Sequence, residues 1–147
     1  MGGASVRLVQ ADGESLSYVE GLLERNELPS EDVRSKPECF YLGYVRDESV
    51  GIGGIEIDGT DGLLRSVVVD RSKRGAGFGT AICDALEDRA LEEGVEALYL
   101  LTTTAADFFA GRGYGEIERT DAPGPIRETT EWSDLCPATA TCMTKSL

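Results

Sequence analysis

The sequence predicts one mixed α/β domain with about seven strands and about four helices. Three observations carry that reading. The chain has 147 residues and is 41% hydrophobic, enough for one buried core and short for two ordinary domains. Short strand-like segments alternate with helical patterns along most of its length. A β-rich run, a glycine-rich loop and a long helical pattern follow one another directly over residues 63–93.

Residues 6–9 form a short apolar strand. Residues 15–26 carry Leu16, Val19, Leu22 and Leu23 on one helical face. Leu28-Pro29-Ser30-Glu31-Asp32 breaks that helix and caps a second, short one. Residues 40–46 alternate as a strand, Asp47-Glu48-Ser49 turns the chain, and residues 50–58 make the second arm of a hairpin. Gly59-Thr60-Asp61-Gly62 turns it again into residues 63–70, whose end, Val67-Val68-Val69, has the highest strand propensity in the chain. After the loop Arg74-Gly75-Ala76-Gly77-Phe78-Gly79, a helix over residues 79–93 presents Ile82, Ala85, Leu86 and Ala90 at helical spacing. Gly94 ends it as a C-terminal cap. A buried strand at 97–101, a short helix at 105–112 and a strand at 114–118 follow. The loop Asp121-Ala122-Pro123-Gly124-Pro125, a short helix at 126–135 and a last strand at 140–145 complete the chain.

Charge and composition exclude several functions. The net charge is −13, from 27 acidic and 14 basic residues. A protein that grips nucleic-acid backbone has the opposite balance. Lys36, Lys73 and Lys145 are the only lysines, and the acids are spread along the whole chain. That pattern suits a surface that stays hydrated in high salt and points to a halophilic source. No apolar run approaches the ~20 residues of a membrane span. Met1-Gly2-Gly3-Ala4-Ser5 lacks the basic and apolar regions of a signal peptide, and Val6 stands where myristoylation needs Ser or Thr. The expectation is a cytoplasmic protein that engages neither nucleic acid nor membrane.

There is no histidine, which removes Ser-His-Asp and Cys-His catalysis and every His-dependent zinc site. Cys39, Cys83, Cys136 and Cys142 include no Cys-x-x-Cys pair, so no metal is expected and the thiols read as small buried hydrophobes. The step from Cys136 to Cys142 leaves a disulfide or a soft metalloid site open.

The strand-loop-helix segment carries the chemistry. A helix start offers unpaired N–H groups and the positive end of a dipole, and glycines let an anion approach the backbone. The loop lacks the Gly-Lys-Ser/Thr of a Walker loop, and Thr80 interrupts a dinucleotide fingerprint. The spacing present is Arg-x-x-Gly-x-Gly, at Arg74, Gly77 and Gly79. That segment resembles the acetyl-CoA motif of the GNAT N-acetyltransferases. A second signature of the same family resembles Ala105-Ala106-Asp107-Phe108-Phe109-Ala110-Gly111-Arg112-Gly113-Tyr114. Leu63-Leu64-Arg65-Ser66-Val67, Tyr99-Leu100-Leu101-Thr102-Thr103-Thr104 and the tail from Leu135-Cys136-Pro137 to Cys142-Met143 look like the arsenic-resistance subgroup. That subgroup and the related phosphinothricin acetyltransferases acetylate the α-amine of small amino-acid-like compounds.

The resemblance implies the acyl-CoA N-acyltransferase fold, acetyl-CoA as cosubstrate, a small-molecule amine as acceptor and, at family level, a homodimer. It implies that the amides of Gly75, Ala76, Gly77, Phe78, Gly79 and Thr80 hold the pyrophosphate, with Arg74 at the loop's entry. It implies main-chain pairing of Val67 and Val69 with pantetheine, as an added strand would pair. The N–H near Val68 would polarise the thioester carbonyl, and Phe108 joins the cofactor contacts. Arg71, Lys73 and Arg74 gather positive charge at the loop to meet an anionic cosubstrate; at 1 M salt a Debye length of about 3 Å screens the rest of the acidic surface.

The catalytic residues are less legible. Many family members have a tyrosine acid where this chain has Phe109. Tyr99 and Tyr114 are alternatives, each with a core-packing reading beside it. A thiolate with a pKa near 8.5 also leaves without help. The candidate base is Glu56, inside Gly53-Gly54-Ile55-Glu56-Ile57; facing inward it takes the amine proton, and facing outward it only wets the strand. Glu38 is a second choice. Arg65 and Ser66 interrupt an apolar strand as candidate substrate-binding residues. Arg65 either grips a substrate carboxylate or pairs with Glu56, and the two readings are compatible. Both residues face one pocket only if the strand carries a bulge. Two other classes stay open: an acetyl-CoA-sensing module that regulates a protein partner, and a thiol-based metalloid binder.

Overall fold

The computed structural model describes residues 6–129, 131–132 and 139–147. Its strands are β1 (Arg7–Gln10), β2 (Phe40–Val45), β3 (Glu48–Asp58), β4 (Asp61–Val69), β5 (Ala97–Thr102), β6 (Gly115–Ile117) and β7 (Thr141–Ser146). Its helices are α1 (Leu16–Arg25), α2 (Phe78–Glu92), α3 (Ala106–Gly111) and α4 (Gly124–Arg127), with short 3₁₀ turns between some elements. The strands form one seven-stranded mixed sheet in the order β1-β2-β3-β4-β5-β7-β6. Among the described residues no helix is long and apolar enough to cross a membrane.

Two compact units share the chain: one takes it to Ile55 together with Ser66–Arg89, the other comprises Glu56–Arg65 and Ala90–Leu147. In the first, β1, β2 and β3 pair antiparallel. Helix α1 buries the four apolar side chains its periodicity selects, Leu16, Val19, Leu22 and Leu23. They join Val33, Phe40, Leu42, Ile52 and Val68 in one core cluster. Fully burying each such side chain stabilises by about 1.5–3 kcal/mol. Ser15 sits at the N-cap, but its side chain makes no cap bond. Asp12 does that work instead, accepting the N–H groups of Glu14 and Ser15 at 3.0 Å each. The Ser15 bond first, then that of Glu14, holds the Asp12 carboxyl below its usual range. The short helix expected after Asp32 is a pair of 3₁₀ turns, Val33–Ser35 and Pro37–Cys39, because Pro37 ends the first and starts the second.

The β2–β3 hairpin is tighter than its residues suggest. Val45 pairs with Glu48, so Arg46-Asp47 alone make the turn, with Arg46 at φ +58. The register then shifts between Gly43 and Tyr44, which bends the strand. Glycines on these strands receive α2. A Cβ at Gly53 would stand 2.5 Å from the Leu86 side chain, and one at Gly43 3.2 Å from Ile82. At Gly51 an added Cβ would collide with the Val68 carbonyl oxygen, a main-chain atom that cannot swing away. Gly51→Ala should therefore lower unfolding stability by about 1–3 kcal/mol, the usual range for an overpacked core; chemical denaturation measures it.

In the second unit β4 and β5 run parallel over three pairs, Asp61↔Ala97, Gly62↔Leu98 and Leu63↔Tyr99. Antiparallel β7 pairs with β5 and then with β6. Leu63, Ala122, Ile126, Trp132 and Cys142 form its core. Trp132 is locked there, its Nε1 donating to the Arg119 carbonyl at 3.1 Å. Of the helix expected over 126–135, the described residues show the turn α4, Gly124–Arg127, and helical backbone again at 131–132; residue 130 and residues 133–138, with Cys136, lie outside the described residues. Gly94 takes φ +88 after α2, and the Val95 N–H donates to the Ala90 carbonyl at 2.9 Å, a Schellman-type closure.

Candidate active site

The glycine loop lies in the first unit. Asp70 opens it, its carboxylate accepting the N–H and the hydroxyl of Ser72 at 3.1 and 2.9 Å. Those two bonds, the N–H first, hold the Asp70 carboxyl below its ordinary 3.8. Tyr18 donates its phenol to Asp70 at 3.3 Å, and partial burial pushes that phenol above its ordinary 10.0. Arg74 turns back on the root of the loop. Its Nε donates to the Val69 carbonyl at 3.1 Å and its Nη2 to Asn26 Oδ1 at 2.8 Å. Lys73 pairs with Glu48 at 3.1 Å.

Beyond that staple the backbone is left open. Gly75 and Gly77 take φ +85 and +81, conformations that side-chain-bearing residues rarely adopt. No atom lies within 4 Å of where a Cβ would stand on either. Helix α2 starts at Phe78, with Gly79 and Thr80 in its first turn, so its unpaired N–H groups lie at the end of this bare strip. A 15-residue helix adds the positive end of a full dipole. An open cleft of about 430 Å³ runs from Arg46, Asp47 and Glu48 of the hairpin turn to Lys73 and Phe78. Leading into the loop, Val68 is buried while Val67 and Val69 are half-buried. Ser66 is buried with φ +61, rare for a non-glycine residue inside a strand, and Arg65 before it is buried too.

The second cluster lies in the other unit. Arg65 is fully enclosed, with none of its side chain exposed. Its Nη1 donates to Glu56 Oε2 at 2.9 Å, the ion pair the sequence allowed. Its Nε faces Glu131 Oε1 at 3.1 Å. The Glu56 side chain is 12% exposed and that of Glu131 is 4% exposed. Of the three, Glu56 is the one that solvent reaches best. Glu38 is exposed, and its carbonyl accepts from Gln10 at 2.8 Å.

The aromatic residues of the second signature split. Phe109 is buried, edge-on to Phe108 at 5.0 Å and to Tyr114 at 5.5 Å, whereas Phe108 is 40% exposed. Tyr114 is buried with Lys145 Nζ 5.5 Å above its ring, and Tyr99 packs against the Trp132 cluster. Burial pushes the Cys142 thiol up. Among the described residues no three potential ligands could hold a metal ion.

Two residues of consequence were not singled out from the sequence. Asn26 ends a helix and holds Arg74; nothing local marks it. Glu131 sits beside a tryptophan in a segment read as a plain short helix. The signal for it was indirect: an arginine inside an apolar strand needs carboxylates, and one partner leaves half its fork unused.

A model of the Acetyltransferase (GNAT) family matches residues 8–115. The amino-acid acetyltransferase of Mycobacterium tuberculosis is 38% identical over 78 residues, covering 52% of this chain and 44% of that protein. The chain spans about half the length of the curated relatives it matches. The N-acetylglutamate synthase of Neisseria gonorrhoeae, solved with coenzyme A and N-acetyl-glutamate, superposes with a TM-score of 0.82 at 17% identity, over 99% of this chain and 36% of that one. A Mycobacterium tuberculosis protein solved with CoA superposes with a TM-score of 0.77 at 23% identity, over 96% of this chain and 99% of that one. At these identities the structural likeness is one of fold.

Proposed function

The chain belongs to the GNAT acetyltransferase family, and from that premise we propose that it transfers acetyl from acetyl-CoA to the primary amine of a small amino-acid-like molecule. The observation that carries the reading is the bare backbone strip of Gly75 and Gly77 running into α2. It fits a pyrophosphate: donors without side chains in the way, a helix dipole behind them, and room in front. We assign the pyrophosphate to the amides of residues 75–80, pantetheine to the main chain of Val67 and Val69, and further cofactor contact to the exposed face of Phe108. Arg74 serves that site by holding the loop's root.

Acetyl-CoA supplies an activated thioester. The amine nitrogen attacks its carbonyl carbon, a C–N bond forms and the C–S bond breaks. The Val68 N–H is assigned to the carbonyl oxygen as negative charge builds there. An alkyl ammonium has a pKa near 10, so freeing its lone pair at pH 7 costs roughly 4 kcal/mol. Glu56 is assigned to take that proton, directly or through one water, and the second proton, shed by the nitrogen once the C–N bond has formed, goes to water. Support comes from its setting: a half-enclosed carboxylate kept in one place by Arg65. Arg65 and Ser66 are assigned to the substrate side, Arg65 acting through the carboxylates it holds. The thiolate leaves without a tyrosine, since Phe109 has no proton to give and thiolates with a pKa near 8.5 are fair leaving groups. The finer reading is an amino-acid analogue of the phosphinothricin or arsenical type as acceptor, in a protein adapted to salt. The name of the mycobacterial relative, an amino-acid acetyltransferase, supports the amino-acid part of it.

The test is thiol release from acetyl-CoA in about 1–2 M salt, where surface repulsion is screened. Phosphinothricin, arsinothricin and glutamate are the acceptors, with polyamines and peptides as controls. Turnover with an amino-acid analogue, reduced about 10²–10⁴-fold by Glu56→Gln, is the expected result. Phe109 favours one other reading, a module that senses acetyl-CoA for a protein partner. Tight acetyl-CoA binding with no turnover on any amine would select it.

A further inference from the structure

Glu131 has no role of its own in that reading beyond its contact with Arg65, and it is buried at 3% exposure, where a carboxylate is costly. Stability alone does not call for it. Three well-packed apolar side chains in place of Glu56, Arg65 and Glu131 would avoid the desolvation of three charges. The arrangement is also asymmetric. Two carboxylates share one guanidinium, and only Glu56 keeps appreciable exposure.

We propose that Glu131 is a positioning residue for the proposed base: by holding the Nε edge of Arg65 it fixes the plane of the guanidinium, and so fixes where Nη1 holds the Glu56 carboxylate. A guanidinium is flat and rigid, so one edge held at 3.1 Å sets the direction of the other nitrogens. Glu131 is itself anchored by its neighbour. Trp132 is 2% exposed, its main-chain N–H donates to Thr129 Oγ1 at 3.3 Å and its Nε1 to the Arg119 carbonyl at 3.1 Å. The chain of contacts thus runs from a buried tryptophan anchor through Glu131 and Arg65 to Glu56, the more exposed of the two carboxylates. Proton transfer depends steeply on the placement of the base, and this chain removes the freedom an exposed glutamate on a strand would have.

The inference rests on the reading of Glu56 as the base, and its test separates the two. Glu131→Gln loses the charge but keeps the reach and the acceptor oxygen. Glu131→Asp keeps the charge but withdraws by one methylene. With positioning, Glu131→Gln, which keeps the contact to Nε, loses less kcat than Glu131→Asp, which lowers kcat tenfold to about a hundredfold. The KM for acetyl-CoA stays near wild type in both, and kcat is read below each variant's own unfolding transition, because both alter a buried ion network. In a Glu56→Gln background Glu131→Asp has no further effect on kcat, because it acts only through Glu56. The proposal is overturned if Glu131→Asp turns over like wild type, if Glu131→Gln is as impaired as Glu131→Asp, or if the losses with Glu56→Gln multiply. A wild-type protein that acetylates no amine overturns the functional reading instead.

Discussion

Gly77→Val weakens acetyl-CoA binding by about a hundredfold and leaves the rest of the fold in place. Gly77 sits at φ +81, and a β-branched residue there pulls the loop out of its left-handed conformation at a cost of at least about 1–2 kcal/mol. Nothing stands within 4 Å of the new Cβ, so no core contact is disturbed; the side chain enters only the space in front of the amides. Losing two hydrogen bonds to a charged phosphate, at about 1.5 kcal/mol each, corresponds to about a hundredfold in affinity. Isothermal titration with acetyl-CoA in high salt measures the loss. Gly94→Val is the matched control. It places the same side chain at φ +88 in a helix cap outside the loop, so it strains the backbone without touching binding. Equal losses from both variants would mean that the glycines of the loop serve only its shape.

Arg65→Met lowers unfolding stability by about 3–5 kcal/mol, the usual effect of removing one member of a buried ion network. The cause is what stays behind. Glu56 and Glu131 would lose the counter-charge they share in a site where the guanidinium is wholly enclosed. Adding Glu56→Gln and Glu131→Gln to Arg65→Met should restore most of the lost stability, because the uncompensated charges are then gone. Urea denaturation of the single and triple variants provides the comparison. The triple variant should remain inactive, since it lacks the proposed base. A single variant as stable as wild type would mean that water reaches the site and screens the carboxylates.

The order of the elements and the position of the glycine loop were legible because they rest on local signals. Leu16, Val19, Leu22 and Leu23 repeat at helical spacing and all four are buried in α1. Gly94 marks the end of α2 because only a residue free to take positive φ closes a helix that way. The Arg-x-x-Gly-x-Gly spacing placed the loop between a strand and a helix, and β4 and α2 flank it. Strand ends moved by a residue or two, as at Glu48. There the turn uses Arg46 at positive φ, a choice the residue type does not announce.

Long-range partners were not legible. Arg74 reads from its motif as part of an anion site, yet its guanidinium holds Asn26, 48 positions away, and the Val69 carbonyl. Gly51 is required by a main-chain oxygen of β4, and no pattern along β3 reveals that approach. By itself the sequence determined the mixed α/β class, the family and the position of the glycine loop, because periodicity, turn chemistry and motif spacing act over a few residues. Only the tertiary structure decided that Arg65 is enclosed between Glu56 and Glu131. A buried charge must find its counter-charge wherever folding brings one within hydrogen-bond reach, and no local spacing encodes that distance.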